Sequence, residues 1–219
     1  MPLLMLDLDN TLVDRDAAFR DELAAFLAEH ALPGRDIEWL MSVDAGGYTP
    51  RQEMARAMAD RYGPALPEST VRALLARGAA ERVVLPGATR DALGRAVAGG
   101  WTCVIVSNGR VAQQEAKIRN TRLDRIVHGW VISEAIGCKK PAPEIFHAAA
   151  AAVGASLSDT GDVWVIGDSP HADIAGAVGL GARSVWVSGG RPWTEAAYRP
   201  THVAADAASA VDHVIGVAG

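Results

Sequence analysis

Residues 3–12 read LLMLDLDNTL, an apolar run that ends in two carboxylates, Asp7 and Asp9, separated by one leucine. The run Leu3–Leu6 does not alternate with polar residues, which is typical of a strand covered on both faces in a parallel sheet. Because side chains at i and i+2 share a face of a strand, both carboxylates are expected to leave the strand together. Their repulsion would be compensated by a hard divalent cation such as Mg²⁺, which prefers oxygen ligands. The alternative interpretation is a solvated strand end followed by an Asn-Thr turn.

Composition limits the class of protein. The chain has 219 residues, of which 49% are hydrophobic and 21% charged, so a folded domain of good size is expected, with room for a smaller second one. The net charge of −5 argues against a nucleic acid or an anionic membrane as partner. Two cysteines form no disulfide framework, and no apolar segment approaches the length of a membrane span. No basic region precedes the first apolar run, and Asp7 interrupts it, so we expect no signal peptide. The low cysteine content favours a reduced, cytoplasmic setting. We expect a monomer or a dimer.

From Asp14 the pattern changes from strand to helix. Apolar residues recur at three- and four-residue intervals over about 16–30, which predicts a helix with one buried face. Further helices are predicted near 37–43, 51–62 and 67–80, with a glycine-rich loop at 44–50. No strand is predicted between Asp14 and about Arg82. Residues 14–84 are therefore predicted to form an all-helical cap domain inserted after the first strand.

After Pro86-Gly87, helices alternate with short apolar strands. Strands are predicted at 101–106, 126–132, 163–166, 183–187 and 202–203, with helices at 88–98, 111–120, 142–153, 171–178 and 206–215. Strands that alternate with helices of this length indicate a parallel, doubly wound α/β sheet. The predicted architecture is a Rossmann-like core domain, 1–13 and 85–219, that carries the helical cap 14–84.

Three later strand ends carry polar motifs. Ser107-Asn108-Gly109 follows the strand 101–106, and its backbone N–H groups and hydroxyl would suit a phosphate oxygen, although a plain turn is the structural alternative. In Gly167–Asp173 (GDSPHAD), Ser169 and Pro170 read as a helix start, which leaves Asp168 without a structural explanation. Lys140 precedes a proline and is by itself an ordinary loop lysine.

Together, the segments DLDNTL (7–12), SNG (107–109), KP (140–141) and GDSPHAD (167–173) resemble, in order, the four motifs of the haloacid dehalogenase-like hydrolase superfamily. The resemblance covers the whole chain, and the helical insert is similar to the cap of the phosphoglycolate-phosphatase-like branch. It implies an Mg²⁺-dependent phosphatase acting on a small phosphorylated metabolite. The residue roles it implies involve Asp7, Asp9, Ser107, Asn108, Lys140, Asp168 and Asp173.

In that resemblance Asp7 is the nucleophile that forms an aspartyl-phosphate, and Asp9 is the general acid/base. Ser107 and Asn108 bind the phosphoryl group, and Lys140 steadies its charge. Mg²⁺ is held by Asp7, the backbone carbonyl of Asp9 and Asp168, with Asp173 behind them. A positioned acid/base contributes about 10²–10⁴-fold to such a reaction.

Within the superfamily, the acid at Asp9 argues against a dehalogenase, whose halide leaving group needs no proton. The phosphonate-cleaving branch uses a cap lysine, and 14–82 contains none. A phosphomutase remains the closest alternative, because it keeps both acids. Outside the superfamily, a phosphate-signalling receiver and a non-catalytic phosphate-binding protein remain possible alternatives. A receiver is smaller and lacks a cap.

The leaving group is expected to be chosen by the cap. The loop 44–51 is the most polar and glycine-rich part of the insert, and glycine lets a loop approach a ligand closely. We expect this loop to face the mouth of the site, with Asp44, Tyr48 or Arg51 contacting the leaving group. Arg15, which follows the first motif, is a further candidate. Helix capping is the alternative role for all four residues.

Overall fold

A computed structural model describes residues 2–158 and 162–217. Its centre is one sheet of six parallel strands in the order β3-β2-β1-β4-β5-β6. The strands are β1 (Leu3–Leu6), β2 (Thr102–Ser107), β3 (Gly129–Ile132), β4 (Val163–Gly167), β5 (Arg183–Val187) and β6 (His202–Ala204). The predicted α/β fold with a doubly wound parallel sheet is confirmed.

Strand β1 is central and fully buried, as its uninterrupted apolar run predicts. It is hydrogen-bonded to β2 on one side and to β4 on the other, with Leu6 level with Ile105 and Ile166. The strands β2 and β3 are therefore added on one side of β1, and β4, β5 and β6 on the other. In open α/β sheets the ligand crevice lies beyond the strand ends at such a switch point. Asp7 is the first residue past the end of β1.

Helices connect the strands of the sheet. They are α5 (Gly87–Ala98), α6 (Val111–Asn120), α7 (Ser133–Ile136), α8 (Pro143–Ala152), α9 (Ala175–Gly179) and α10 (Ala207–Val217), numbered after the four helices of the insert. The short helix α7 was not predicted, and two other elements differ from the sequence-based prediction. β3 begins at Gly129 because Leu123–Arg125 is a 3₁₀ turn. The helix expected over 171–178 is divided into a π-helical turn, Pro170–Ile174, and α9.

The insert consists of α1 (Arg15–Glu29), α2 (Ile37–Asp44), α3 (Arg51–Tyr62) and α4 (Glu68–Arg77), and contains no strand within 14–84. Asp14 caps α1 by accepting a hydrogen bond from the backbone N–H of Ala17 at 2.8 Å. The apolar face of α1 is buried with Met54 and Met58 of α3 and Leu74 of α4. Each of these three helices therefore buries apolar side chains.

Internal contacts divide the chain into two compact units. One comprises the residues before Asp14 and after Val84, and the other comprises Asp14–Val84. In the described parts of the chain, no helix combines the length and the apolar character needed to cross a membrane.

Candidate active site

The carboxyl ends of β1, β2 and β4 bring together three of the motif residues. Asp7 follows β1, Ser107 is the last residue of β2 and Asp168 follows β4. Because Leu6 is level with Ile105 and Ile166, these side chains lie within about one residue of the same height on adjacent strands. Residues from separate parts of the sequence therefore converge at one edge of the sheet.

Lys140, from the loop between α7 and α8, is anchored among these strand ends. Its Nζ donates hydrogen bonds of 2.7 Å to Asp7 Oδ1 and to Asp173 Oδ1. Asn108 fixes the loop, since its Oδ1 accepts from the Lys140 backbone N–H at 2.8 Å and its Nδ2 donates to the Lys140 carbonyl at 3.1 Å. Asn108 therefore contributes to the position of Lys140 as well as to the loop after β2.

Asp173 lies on the π-helical turn and is completely buried. Its Oδ1 accepts from Lys140 and its Oδ2 accepts from the Ser169 backbone N–H at 3.0 Å. Ser169 caps the turn through Ala172 N, as its position in the sequence predicts. A Cβ at position 167 would come within 2.2 Å of the Asp173 carboxyl group, so only Gly167 allows this close approach.

The site contains more negative than positive charge. One oxygen of each of Asp7, Asp168 and Asp173 lies within 4.8 Å of the others, and Lys140 is the buried cation beside them. Burial, opposed by Lys140 and reinforced by the neighbouring carboxylates, raises the pKa of Asp7 to about 7. Burial and the Asp173 carboxylate raise the pKa of Asp168 to about 6, while Arg191 opposes the shift. Burial would lower the pKa of Lys140, but the two carboxylates it contacts raise it.

This donor set fits a hard divalent cation. All of the candidate ligand atoms are carboxylate oxygens, which Mg²⁺ prefers. Among the described residues, no side chain or backbone group donates a hydrogen bond to Asp7 Oδ2 or Asp168 Oδ1, whereas both oxygens of Asp173 are already bonded. Asp7 and Asp168 are thus the better direct ligands, and Asp173 supports Lys140 behind them.

Asp9 points to a different set of partners. Its two oxygens lie 2.7 Å from Lys117 Nζ, and its Oδ2 also accepts from Gln114 Nε2 at 2.9 Å. Gln114 Nε2 also donates to Ser107 Oγ at 2.6 Å. The two acids that look alike in the sequence are therefore in different surroundings.

Sequence reasoning missed Gln114 and Lys117. The signal that could have found them is a pair of polar side chains three residues apart, on the helix that follows the Ser107 loop. Such residues share a helix face, and both are buried.

Arg191 was also missed, because it lies in the irregular segment after β5. It donates to the Asp168 carbonyl at 3.0 Å and to Asp168 Oδ2 at 3.2 Å. Trp186 Nε1 donates to the same carbonyl at 2.8 Å. These contacts fix the backbone and one carboxylate oxygen of Asp168.

The four cap candidates are divided by the structure into a buried and an accessible pair. Arg15 and Asp44 form a buried two-point ion pair, with Arg15 Nη2 2.8 Å from Asp44 Oδ1 and Nη1 bonded to Oδ2. Burial would lower the pKa of Arg15, but the bonds to Asp44 and Asp16 raise it. Arg51 is 3.4 Å from Asp44 and partly exposed, and Tyr48 is 71% exposed.

The haloacid dehalogenase-like hydrolase model matches residues 1–181, which include all four motifs. The chain belongs to the haloacid dehalogenase-like hydrolase family, and the resemblance seen in the sequence is confirmed.

Two curated relatives are similar over part of the chain. A glyceraldehyde 3-phosphate phosphatase from Pyrococcus abyssi is 33% identical over 107 residues, 49% of this chain and 43% of the relative. The pyrimidine 5'-nucleotidase YjjG from Escherichia coli is 33% identical over 104 residues, 48% of this chain and 44% of the relative. Each alignment thus spans less than half of the relative's length.

The fold is also shared with solved structures. A HAD phosphatase from Thermococcus onnurineus superposes with a TM-score of 0.67 at 16% identity, over 100% of this chain and 98% of that one. This likeness concerns the fold alone.

Proposed function

We propose that the protein is an Mg²⁺-dependent phosphatase that hydrolyses a small phosphorylated metabolite through an aspartyl-phosphate intermediate. The observation that carries this proposal is the separation of the two carboxylates of the first motif. Asp7 belongs to the carboxylate cluster that Lys140 contacts, whereas Asp9 is bound by Gln114 and Lys117. Two neighbouring acids in different environments are suited to two different tasks.

In the first step, Asp7 attacks phosphorus in line with the leaving oxygen and forms the phosphoryl-aspartate bond as the ester bond breaks. Asp9 gives its proton to the leaving oxygen. Ser107 and Lys140 donate hydrogen bonds to the phosphoryl oxygens, whose charge must be neutralised in the transition state. In the second step, Asp9 takes a proton from water, which hydrolyses the intermediate and restores Asp7.

Mg²⁺, when bound by Asp7, Asp168 and the Asp9 backbone carbonyl, would neutralise phosphoryl charge in both steps. Asp173 keeps Lys140 in place through their 2.7 Å contact. Arg191 and Trp186 hold the Asp168 backbone, and so keep that carboxylate at the end of β4.

The proposed substrates are phosphate monoesters of small metabolites. The two curated relatives are a glyceraldehyde 3-phosphate phosphatase and a pyrimidine 5'-nucleotidase, so triose phosphates and nucleoside monophosphates are the first esters to test. Sugar phosphates and phosphoglycolate are tested beside them. Arg51 and Tyr48 are proposed to set the preference among these esters, because their side chains are accessible whereas Arg15 and Asp44 are buried.

The test is to trap the intermediate. Asp9→Asn should lose turnover of ordinary esters by about 10²–10⁴-fold, because its amide cannot transfer the proton. With 2,4-dinitrophenyl phosphate, whose leaving group needs no proton, the first step should recover more than the second. Rapid quenching and intact-protein mass spectrometry should then show a phosphorylated protein. The matched variant Asp7→Asn should never carry phosphate, and phosphate on it would contradict the assignment. Release of inorganic phosphate by the wild type separates a phosphatase from a phosphomutase.

A further inference from the structure

Helix α6 carries two buried polar side chains, Gln114 and Lys117, that contact Asp9. They lie three residues apart and therefore on one face of the helix. Among the described residues, every hydrogen bond of the Lys117 ammonium group goes to Asp9, at 2.7 Å from each carboxylate oxygen. Burying a cation costs free energy even when it is paired, and an apolar residue in its place is often equally stabilising. A purely structural role would therefore favour an apolar residue at position 117.

The hydrogen bonds of Gln114 have a defined direction. Gln114 Nε2 lies 2.9 Å from Asp9 Oδ2, so the side-chain amide donates to Asp9 through its NH₂ group. The same nitrogen lies 2.6 Å from Ser107 Oγ, and an amide NH₂ has no lone pair to offer. Ser107 is therefore the acceptor in this contact. Its own hydroxyl proton has no acceptor among the described residues and is left for a phosphoryl oxygen.

The loop after β2 makes room for this arrangement. A Cβ at position 109 would lie 3.0 Å from Cγ and Cδ of Gln114, closer than side chains normally pack. Gly109 lies in the SNG motif two residues after Ser107, so the motif provides both the hydroxyl and the space for the amide that orients it. The side-chain amide thus bridges Ser107 and Asp9.

We propose that Gln114 and Lys117, together the α6 clamp, are positioning residues for catalysis. The clamp holds the Asp9 carboxylate at two oxygens and orients the Ser107 hydroxyl toward the phosphoryl group. The proposal rests on the proposed function, in which Asp9 exchanges a proton with the leaving oxygen and with water. A general acid acts only from within hydrogen-bond reach of its target, so loss of this orientation slows the steps that need Asp9.

Lys117→Met removes the cation and keeps a long side chain in its place. We expect kcat for phenyl phosphate, whose leaving group needs a proton, to fall by about 10²-fold, with KM changed by less than about threefold. The first step with 2,4-dinitrophenyl phosphate, measured as a burst of dinitrophenolate, should fall by less than about tenfold. Lys117→Arg, which keeps a cationic donor, should restore part of the kcat. Arg119→Met, an exposed cation on the same helix, is the matched control and should behave as the wild type.

Gln114→Glu changes the other residue of the α6 clamp and keeps the side-chain volume nearly constant. Its carboxylate would accept the Ser107 proton, so inhibition by inorganic phosphate should weaken by about tenfold, whereas Arg119→Met should not change it. Thermal unfolding verifies that each variant is folded.

Three results would overturn the α6 clamp. One is an equal loss with both aryl esters in Lys117→Met, which indicates a structural role. Another is a folded Gln114→Glu with unchanged phosphate inhibition. The third is a Lys117→Met variant that retains wild-type kcat for phenyl phosphate. These results leave the proposed function intact, whereas a wild-type protein that releases no phosphate from any ester would overturn both.

Discussion

Each unit contains a cluster of acidic and basic side chains, and the two clusters differ in the ratio of acidic to basic residues. In the insert, Asp44 and Asp16 are matched by the guanidinium groups of Arg15 and Arg51. In the core, Asp7, Asp168 and Asp173 surround a single buried cation, Lys140, with Arg191 contacting Asp168 from a more exposed position. The first cluster is neutral by itself, and the second keeps an excess of negative charge.

The difference makes the core cluster the better candidate for binding a cation or a phosphate group. In the insert, the buried Asp44 is paired with Arg15 and Arg51 and also accepts from the Gly47 backbone N–H at 2.8 Å. The core cluster draws on two strand ends, a π-helical turn and two loops, and the raised pKa values of Asp7 and Asp168 show that the charged forms of these two acids are disfavoured. An unbalanced buried cluster of this kind is typical of a site completed by a cation or a substrate.

The largest effect is expected for Asp7→Asn, which removes one charge from the core cluster. Turnover should be abolished, because an amide cannot act as the nucleophile. Stability of the metal-free protein near neutral pH should not decrease, since burial and its neighbouring carboxylates disfavour the charged Asp7. Phosphate release and thermal unfolding, measured on the same preparation, check both expectations.

Asp44→Asn is the matched control in the balanced cluster. Removal of one partner from a buried ion pair typically costs about 3–5 kcal/mol of the free energy of unfolding, and Arg15 would keep its contact with the more exposed Asp16. The core motif residues are unchanged, so folded protein should keep its turnover of activated esters. If Asp7→Asn proved the less stable of the two variants, the distinction between the clusters would be wrong.

Cation binding should respond to pH with a definite sign. Asp7 and Asp168 have folded pKa values raised to about 7 and about 6, above their ordinary values in an unfolded chain. The metal-free protein therefore loses their contribution to stability as pH rises through this range. Mg²⁺ requires the ionised acids, so the increase in Tm on adding Mg²⁺ should be larger at about pH 8 than at about pH 5.

Ionic strength matched with a monovalent salt is the control for that measurement, and Asp168→Asn should remove most of the shift. An Mg²⁺-dependent increase in Tm that is equal at both pH values would contradict the assignment of these acids as ligands.

The smallest expected effect concerns ester preference. Arg51→Ala should change the relative kcat/KM among triose phosphates, nucleoside monophosphates and phosphoglycolate by about tenfold, the size of one charge-assisted hydrogen bond. Arg72→Ala, an exposed arginine of α4 paired with Glu68, is the control and should leave the ratios unchanged. Unchanged ratios in Arg51→Ala would exclude this residue from selectivity.

Most of the confirmed predictions came from strong local patterns in the sequence. The apolar run Leu3–Leu6 predicted a central strand, and the strand-end motifs predicted which polar groups meet at the edge of the sheet. Asp7, Ser107 and Asp168 could be placed together because adjacent parallel strands end at the same edge, whereas the roles of Lys140 and Asp173 came from the family resemblance. Sequence periodicity likewise located the four helices of the insert, with ends within a few residues of those observed.

The rest depended on tertiary geometry that periodicity does not encode. The pattern of α6 predicts a helix, but only the packing of that helix shows that Lys117 meets Asp9 rather than solvent. Arg191 lies in an irregular segment, where no repeat predicts the direction of a side chain. The π-helical turn that carries Asp173 is set by Ser169 and Gly167 acting together, which a search for α-helical spacing does not detect.

The position of the insert also affects biosynthesis. Leu3 of β1 pairs with Thr102 on one side and with Val163 on the other, so both partners of β1 leave the ribosome long after β1 itself. β2 and β3, by contrast, are neighbours in sequence as well as in the sheet, and so are β4 and β5. During translation the apolar LLML strand has both edges unpaired for longer than any other strand, which makes it the segment of the nascent chain with the greatest need for protection from aggregation.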